Sequence, residues 1–305
     1  MSPIPPAEID VTADLVRGLL ASQHPDLAEL PLEVVAHGWD NEVLRLGDDL
    51  ALRMPRRELG ARLVRHEQEW LPALAPQLPV RTPVPVRVGS PSDGTRGPAY
   101  PWWWSIVPWF DGQMVARTPV AERRTLARPL AQFVTALHRT APPDAPVNPY
   151  RGVPLAARDA DFRERLAAHP LPEQDALLDL WERLISTPVW DGPALWVHGD
   201  LHPANLLAAP ENAGRLGLSA VIDFGDITSG DPASDLATAW LTFDAEGRGE
   251  FRELVSRAGV ADGAMWDRAH AWAVVFSVLL TTTSDDVPHL HAVGVHGLAQ
   301  VLAGE

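Results

Sequence analysis

The sequence predicts an α+β protein of two lobes, an N-terminal antiparallel sheet lobe followed by a mainly helical C-terminal lobe. Three observations predict it. Short apolar runs bounded by turn residues are confined to the first third of the chain. Beyond them, apolar residues recur at helical spacing. One short hairpin, between Asn205 and Asp223, interrupts the helical half. With 305 residues and 46% apolar content, the chain can bury one large or two medium cores.

Taken in order, residues 11–20 read as a short helix after a Pro-rich start. Residues 32–35 and 42–46 read as strands separated by the turn His37-Gly38-Trp39-Asp40-Asn41, and residues 50–54 return as a third strand after Gly47-Asp48-Asp49. Leu63, Glu67, Trp70, Leu71 and Leu74 lie at helical spacing, so residues 61–74 form a helix with one carboxylate, Glu67, on its apolar face. A carboxylate placed there requires a partner. Pro-rich residues 78–88 lead to a loop at 90–98 and an apolar stretch at 102–110, where the lobe boundary falls, giving lobes of 1–110 and 111–305. Leu126, Leu130, Phe133, Val134 and Leu137 then mark an amphipathic helix.

Composition narrows the chemistry. The 25 basic residues are all Arg, which excludes lysine Schiff bases, a lysine general base and the GxxxxGK[ST] phosphate loop. Cys is absent, excluding disulfides, thiolate nucleophiles and cysteine zinc sites. A net charge of -15 argues against nucleic acid or an anionic membrane as partner and favours, weakly, a cationic small molecule. The eleven histidines form no HExxH, so a zinc hydrolase lacks its signature. The N-terminus carries no basic stretch before an apolar core, and the longest apolar run, 271–280, is too short to span a bilayer. The expected location is the cytoplasm.

The chemistry concentrates between Trp196 and Asp235. Apolar runs at 206–208 and 218–222, joined by turn-rich residues 210–217, make an antiparallel hairpin. Asn205 precedes the first strand and Asp223 follows the second, so the two become neighbours, and Asp200 lies close in the chain. Hard oxygen ligands of this kind suit Mg²⁺. Phosphoryl transfer needs metal on the phosphates, an aligned hydroxyl and an acceptor for its proton. Asp200 can take that proton, with Asn205 and Asp223 on the metal. Gly199 lets the loop turn, and His198 anchors it by hydrogen bonding in preference to titrating. Asp231 with Pro232 starts a helix, and Asp235 in its first turn braces the loop.

HGDLHPAN followed by VIDFGD and DPASDLA resembles the aminoglycoside phosphotransferase family, antibiotic kinases of the protein-kinase-like superfamily. The resemblance implies a bilobal protein-kinase-like fold and an ATP- or GTP- and Mg²⁺-dependent small-molecule kinase that confers antibiotic resistance. It makes Asp200 the base and Asn205 and Asp223 the metal ligands. In LALRMP, Arg53 occupies the place of the family's strand-three lysine, with Glu67 as its helix partner. WSIVPWFDG resembles the hinge that receives adenine, through the Pro108 carbonyl and the Phe110 amide. Trp102, Trp103 and Trp104 either stack on a purine or join the core. His202 either reaches the γ-phosphate or acceptor, or faces solvent. Asp226, Asp231, Asp244 and Glu246 are candidate contacts for a cationic, hydroxylated acceptor. The same core also serves choline, homoserine and methylthioribose kinases, so metabolite kinase and catalytically silent pseudokinase remain the alternatives.

Overall fold

The structure is a computed structural model that describes residues 6–38, 40–211 and 215–303. Trp39 of the predicted 37–41 turn and residues 212–214 of the predicted 210–217 turn lie outside the described residues. The chain divides into two compact units.

The first unit comprises Pro3–Pro76 and Thr82–Phe110. Helix α1 (Ala13–Gln23) starts where the Thr12 hydroxyl accepts the Leu15 amide, 3.2 Å. Strands β1 (Leu32–His37), β2 (Asn41–Leu46) and β3 (Leu50–Pro55) form a meander, followed by helix α2 (Glu58–Leu74). Strand β4 (Arg87–Gly89) and the two-residue strands β5 (Ser92–Asp93) and β6 (Ala99–Tyr100) precede β7 (Trp104–Pro108). The sheet is antiparallel throughout, in the order β1-β2-β3-β7-β4. β5 pairs with β6 in a separate ladder where the sequence suggested a plain loop. In β3, alternation sends Leu52 and Met54 to one face, where Val16, Leu19 and Leu20 of α1 cover them, and Arg53 to the other. Trp104 is buried in that core, its indole lying on Gly89, where a Cβ would come within 1.8 Å of the ring. Trp102 packs against the same cluster, and Trp103 lies exposed beneath the Arg65 guanidinium at 4.5 Å.

The second unit comprises Gln77–Arg81 and the chain from Asp111. Strand β8 (Gln113–Met114) is followed by helices α3 (Ala127–Leu137), α4 (Asp159–Ala168) and α5 (Gln174–Leu184). Strands β9 (Leu195–Val197), β10 (Leu206–Pro210), β11 (Leu216–Val221) and β12 (Thr228–Gly230) come next. Helices α6 (Ala233–Leu236), α7 (Thr238–Thr242), α8 (Ala245–Arg257), α9 (Gly263–Thr283) and α10 (Pro288–Leu302) complete the chain. The predicted β10–β11 hairpin gains β8 as a third strand, and β12 pairs with β9. Helix α9 is buried on most sides, and Gly297 of α10 allows close packing, since a Cβ there would lie 2.2 Å from the Ser277 hydroxyl. No helix among the described residues is long and apolar enough to cross a membrane.

Candidate active site

The site is assembled on the loops that leave β9 and β11. At the end of β9 the chain must turn sharply: Gly199 has φ +88°, and a Cβ there would lie 2.4 Å from the Asp226 carbonyl. Asp235, fully buried in α6, fixes this turn. Its carboxylate accepts the His198 amide (2.8 Å), the Gly199 amide (2.9 Å) and His138 Nε2 (3.1 Å). His198 Nδ1 accepts the Asp200 amide at 3.2 Å, so Nε2 carries the proton it gives to the Ile222 carbonyl at 3.1 Å. One ring thus ties the loop to the end of β11.

Asp200 is held on both oxygens, unequally. Oδ2 accepts from Asn205 Nδ2 at 3.0 Å and faces His202 Nε2 at 3.2 Å. Because His202 Nδ1 accepts the Ala204 amide (3.2 Å), Nε2 is the donor. Oδ1 faces Arg151 Nη2 at 3.5 Å. Burial pushes the Asp200 carboxyl up, but His202, Arg151 and His198 outweigh it and hold the group well below the usual carboxylate range. His202 is itself buried against Asp200 and does not face solvent.

Asn205 Nδ2 also donates to the Asp200 carbonyl at 2.8 Å, which orients the amide and leaves Oδ1 as its remaining oxygen donor. The Ile222 amide donates to the Asn205 carbonyl at 2.9 Å, so Ile222 is the residue opposite Asn205 and Asp223 follows it. Asp223 has φ 62° and ψ 66°, the only positive φ of a non-glycine among the described residues. Left-handed backbone at a side chain costs about 1–3 kcal/mol and concentrates where geometry matters. An oriented amide oxygen beside a carboxylate matches what Mg²⁺ takes when phosphates and water complete its shell. Among the described residues no three His, Asp or Glu form a metal cage.

The four acidic residues proposed for a cationic acceptor do not gather. Asp226 lies at the site: Asn148 Nδ2 donates to it at 2.7 Å, and burial together with the charges of Asp200 and Asp223 pushes its carboxyl up. Asp231 is buried and spent on Arg268, 2.7 Å, and on the Ala233 amide. Asp244 caps α8 through the Gly247 amide and binds Arg124 in a fork, and Glu246 binds the same arginine. Helices α6 and α7 separate Asp244 and Glu246 from Asp223 along the chain.

In the first unit, Arg53 Nη1 meets Glu67 Oε1 at 3.0 Å, both side chains buried. Pro108 ends β7 opposite Leu50, and Phe110 is buried beyond it. Sequence reasoning missed Arg151, His138 and Asn148, whose partners lie far along the chain and carry no local motif.

The description "Phosphotransferase enzyme family" belongs to the family model that matches residues 31–272. No curated protein matches the sequence. Among solved structures, the GDP complex of wild-type aminoglycoside 2'-phosphotransferase-IIIa superposes with TM-score 0.69 at 21% identity, covering 96% of this chain and 99% of that one. The macrolide 2'-phosphotransferase MphH from Brachybacterium faecium gives TM-score 0.55 at 21% identity over 93% and 98% of the two chains. Macrolide 2'-phosphotransferase type I gives 0.56 at 22% over 97% and 99%.

Proposed function

This chain belongs to the phosphotransferase enzyme family, and from that premise we propose that it transfers the γ-phosphate of ATP or GTP to a hydroxyl of a small, antibiotic-like molecule. The observation that carries the reading is the differently bonded pair of oxygens on Asp200: Oδ2 is engaged by Asn205 and His202, and Oδ1 remains to take a proton. In this reading Asp200 accepts the acceptor's hydroxyl proton at Oδ1 while His202 and Asn205 hold the carboxylate in place. Asn205 Oδ1 and Asp223 would hold Mg²⁺, which when bound neutralises phosphate charge. Arg53, kept in position by Glu67, would contact the nucleotide phosphates, and Pro108 and Phe110 would offer backbone groups to the base. Residues 1–110 would thus serve the nucleotide and 111–305 the acceptor.

Solved relatives support a nucleotide and a hydroxylated acceptor: one is an aminoglycoside phosphotransferase with GDP and kanamycin, another a ternary complex with streptomycin and ATP. A resistance role and a cytoplasmic location, where ATP is supplied, follow from the same reading. A polycationic acceptor has narrower support than the sequence suggested, because Asp231, Asp244 and Glu246 are matched by internal arginines and Asp226 alone stands at the site. The test is release of ADP or GDP with Mg²⁺ and a panel of aminoglycosides, macrolides and amino alcohols. Acceptor-dependent release from one antibiotic class is expected. Best turnover on a choline-like amino alcohol would make the chain a metabolite kinase, and nucleotide binding without turnover on any acceptor would overturn the reading.

A further inference from the structure

Two buried arginines of the helical unit, Arg268 and Arg123, spend all their nitrogens. Arg268 gives Nε and Nη2 to Asp231 (2.7 and 3.4 Å) and Nη1 to the Pro188 carbonyl (3.0 Å). Arg123 gives Nε to the Thr118 carbonyl (2.9 Å), Nη1 to Thr242 (3.4 Å) and Nη2 to Ala116 (3.3 Å). Such saturation is the rule, since an unmade bond at a buried donor costs about 1–3 kcal/mol, more for a charged group.

Arg151 differs from both. Its side chain is 13% exposed, yet Nε is buried without a hydrogen-bond partner. Nη1 reaches only the carbonyl of its own neighbour Tyr150, at 3.4 Å. Nη2 stands 3.5 Å from Asp200 Oδ1, an ion-pair distance beyond that of a good hydrogen bond. The guanidinium is nevertheless fixed, lying 4.8 Å over the Phe276 ring. Its loop is docked on β12 and the turn after it: the Asn148 amide donates to Thr228 Oγ1 (2.8 Å), the Ser229 amide to the Pro146 carbonyl (2.9 Å) and the Asp231 amide to the Gly152 carbonyl (2.9 Å). Gly152 takes φ +64° to make the last contact. A planar fork of donors has therefore been ordered beside the oxygen assigned to the acceptor's proton, without being used up. Guanidinium groups recognise phosphoryl oxygens through this fork.

We propose that Arg151 is a catalytic residue of the transfer, its unspent donors binding the oxygens of the phosphoryl group as that group passes to the acceptor held at Asp200. The assignment rests on the reading of Asp200 as the base. In the step, the acceptor O–H bond breaks and its proton goes to Asp200 Oδ1. The acceptor oxygen bonds to the γ-phosphorus, and the bond from that phosphorus to the β–γ bridging oxygen breaks, its electron pair leaving with the nucleoside diphosphate. Arg151 stabilises the charge spread over the non-bridging oxygens and ends the cycle unchanged.

The experiment uses the full chain as Arg151→Gln, Arg151→Lys and Arg151→Ala, with folding checked by thermal melting. Three readouts are taken: hydrolysis of Mg-ATP with water as acceptor, affinity for Mg-ADP, and affinity for Mg-ADP with aluminium fluoride, which mimics the phosphoryl group in flight. Arg151→Gln is expected to lose about a hundred- to thousandfold in kcat, to keep its affinity for Mg-ADP, and to lose the extra affinity for the fluoride complex. Guanidinium ion added to Arg151→Ala should restore part of the rate, a rescue that does not need the alanine variant to be as stable as the parent. A folded Arg151→Gln with parental kcat and parental fluoride affinity overturns the assignment, as does a fully active Arg151→Lys, because charge alone would then suffice. Asp200→Asn is run beside them: if it turns over normally, the base assignment itself has failed, whereas an inactive Asp200→Asn with fully active Arg151 variants removes only the role of Arg151.

Discussion

Asp235 is fully buried and accepts from the His198 and Gly199 amides and from His138, while Asp200, beyond that turn, has one oxygen doubly engaged and the other facing a guanidinium at 3.5 Å. Both carboxylates serve the same loop. The first has its lone pairs committed and can only hold; the second keeps an oxygen able to take a proton. Arg268 and Arg151 repeat the contrast on the cationic side. On the proposed reading, the saturated Asp235 and Arg268 hold the structure, and the less engaged Asp200 and Arg151 carry the chemistry.

The largest effect on stability should come from attacking a saturated group. Asp235→Ala leaves two backbone amides and His138 without their acceptor in a dry environment, and at about 1–3 kcal/mol for each orphaned group the unfolding free energy should fall by roughly 3–9 kcal/mol. Denaturant titration reads this directly. A variant that unfolds like the parent would show that Asp235 is not the brace of the loop.

Asp223 is expected to separate the two properties in one residue. Asp223→Ala should weaken Mg-nucleotide binding about tenfold or more, seen by calorimetry with and without Mg²⁺, because a charged oxygen donor is lost. Asp223→Gly should lose the same affinity yet melt higher than the alanine variant, since glycine adopts φ 62° without strain. Unchanged nucleotide affinity in both would remove Asp223 from the metal site.

Arg53 is a buried, ion-paired group with a proposed function, so its substitution sharpens the comparison. Arg53→Ala should raise the nucleotide KM and also destabilise, because the buried Glu67 loses the guanidinium it meets at 3.0 Å. Arg53→Lys should do less of both. A parental KM in the two variants would move the phosphate contact elsewhere, with Arg45 the next residue to test.

The smallest effect belongs to Asp244. It caps α8 and binds Arg124, so Asp244→Ala should cost about 0.5–2 kcal/mol of stability, the usual worth of an N-cap, and leave turnover unchanged. Burial pushes its carboxyl up, but Arg124 and the Gly247 amide outweigh that and lower it overall. A lowered folded pKa means the stabilisation is present above the unfolded value, near pH 4, and is lost as pH falls through the folded value. The variant should therefore show a shallower loss of stability on acidification. Loss of turnover in Asp244→Ala would return this residue to the acceptor site.

What was legible in the sequence is what the chain holds close together. Asp200, Asn205 and Asp223, the residues proposed as base and metal ligands, lie within one hairpin and its approach, and the Arg53–Glu67 pair could be read from a lone acid on an apolar helical face. His138, Asn148 and Arg151 were not legible, because each meets its partner only after helices α4 and α5 intervene, and a lone His or Arg between them carries no periodic signal. The pairings of the acidic residues after Asp223 were hidden for the same reason: Asp231 and Asp244 meet Arg268 and Arg124, arginines that nothing local in the sequence links to them. The pairing of β12 with β9 was invisible because three-residue strands are too short to show alternation.

The most direct test of the account is Asp200→Asn, measured for acceptor-dependent ADP release and for Mg-ADP affinity in the same preparation. The amide keeps the shape of the carboxylate but cannot take the proton. Turnover should fall by about a hundred- to ten-thousandfold while nucleotide affinity stays near the parent's. Near-parental turnover would contradict the claim that the unsaturated oxygen of Asp200 is where the chemistry happens.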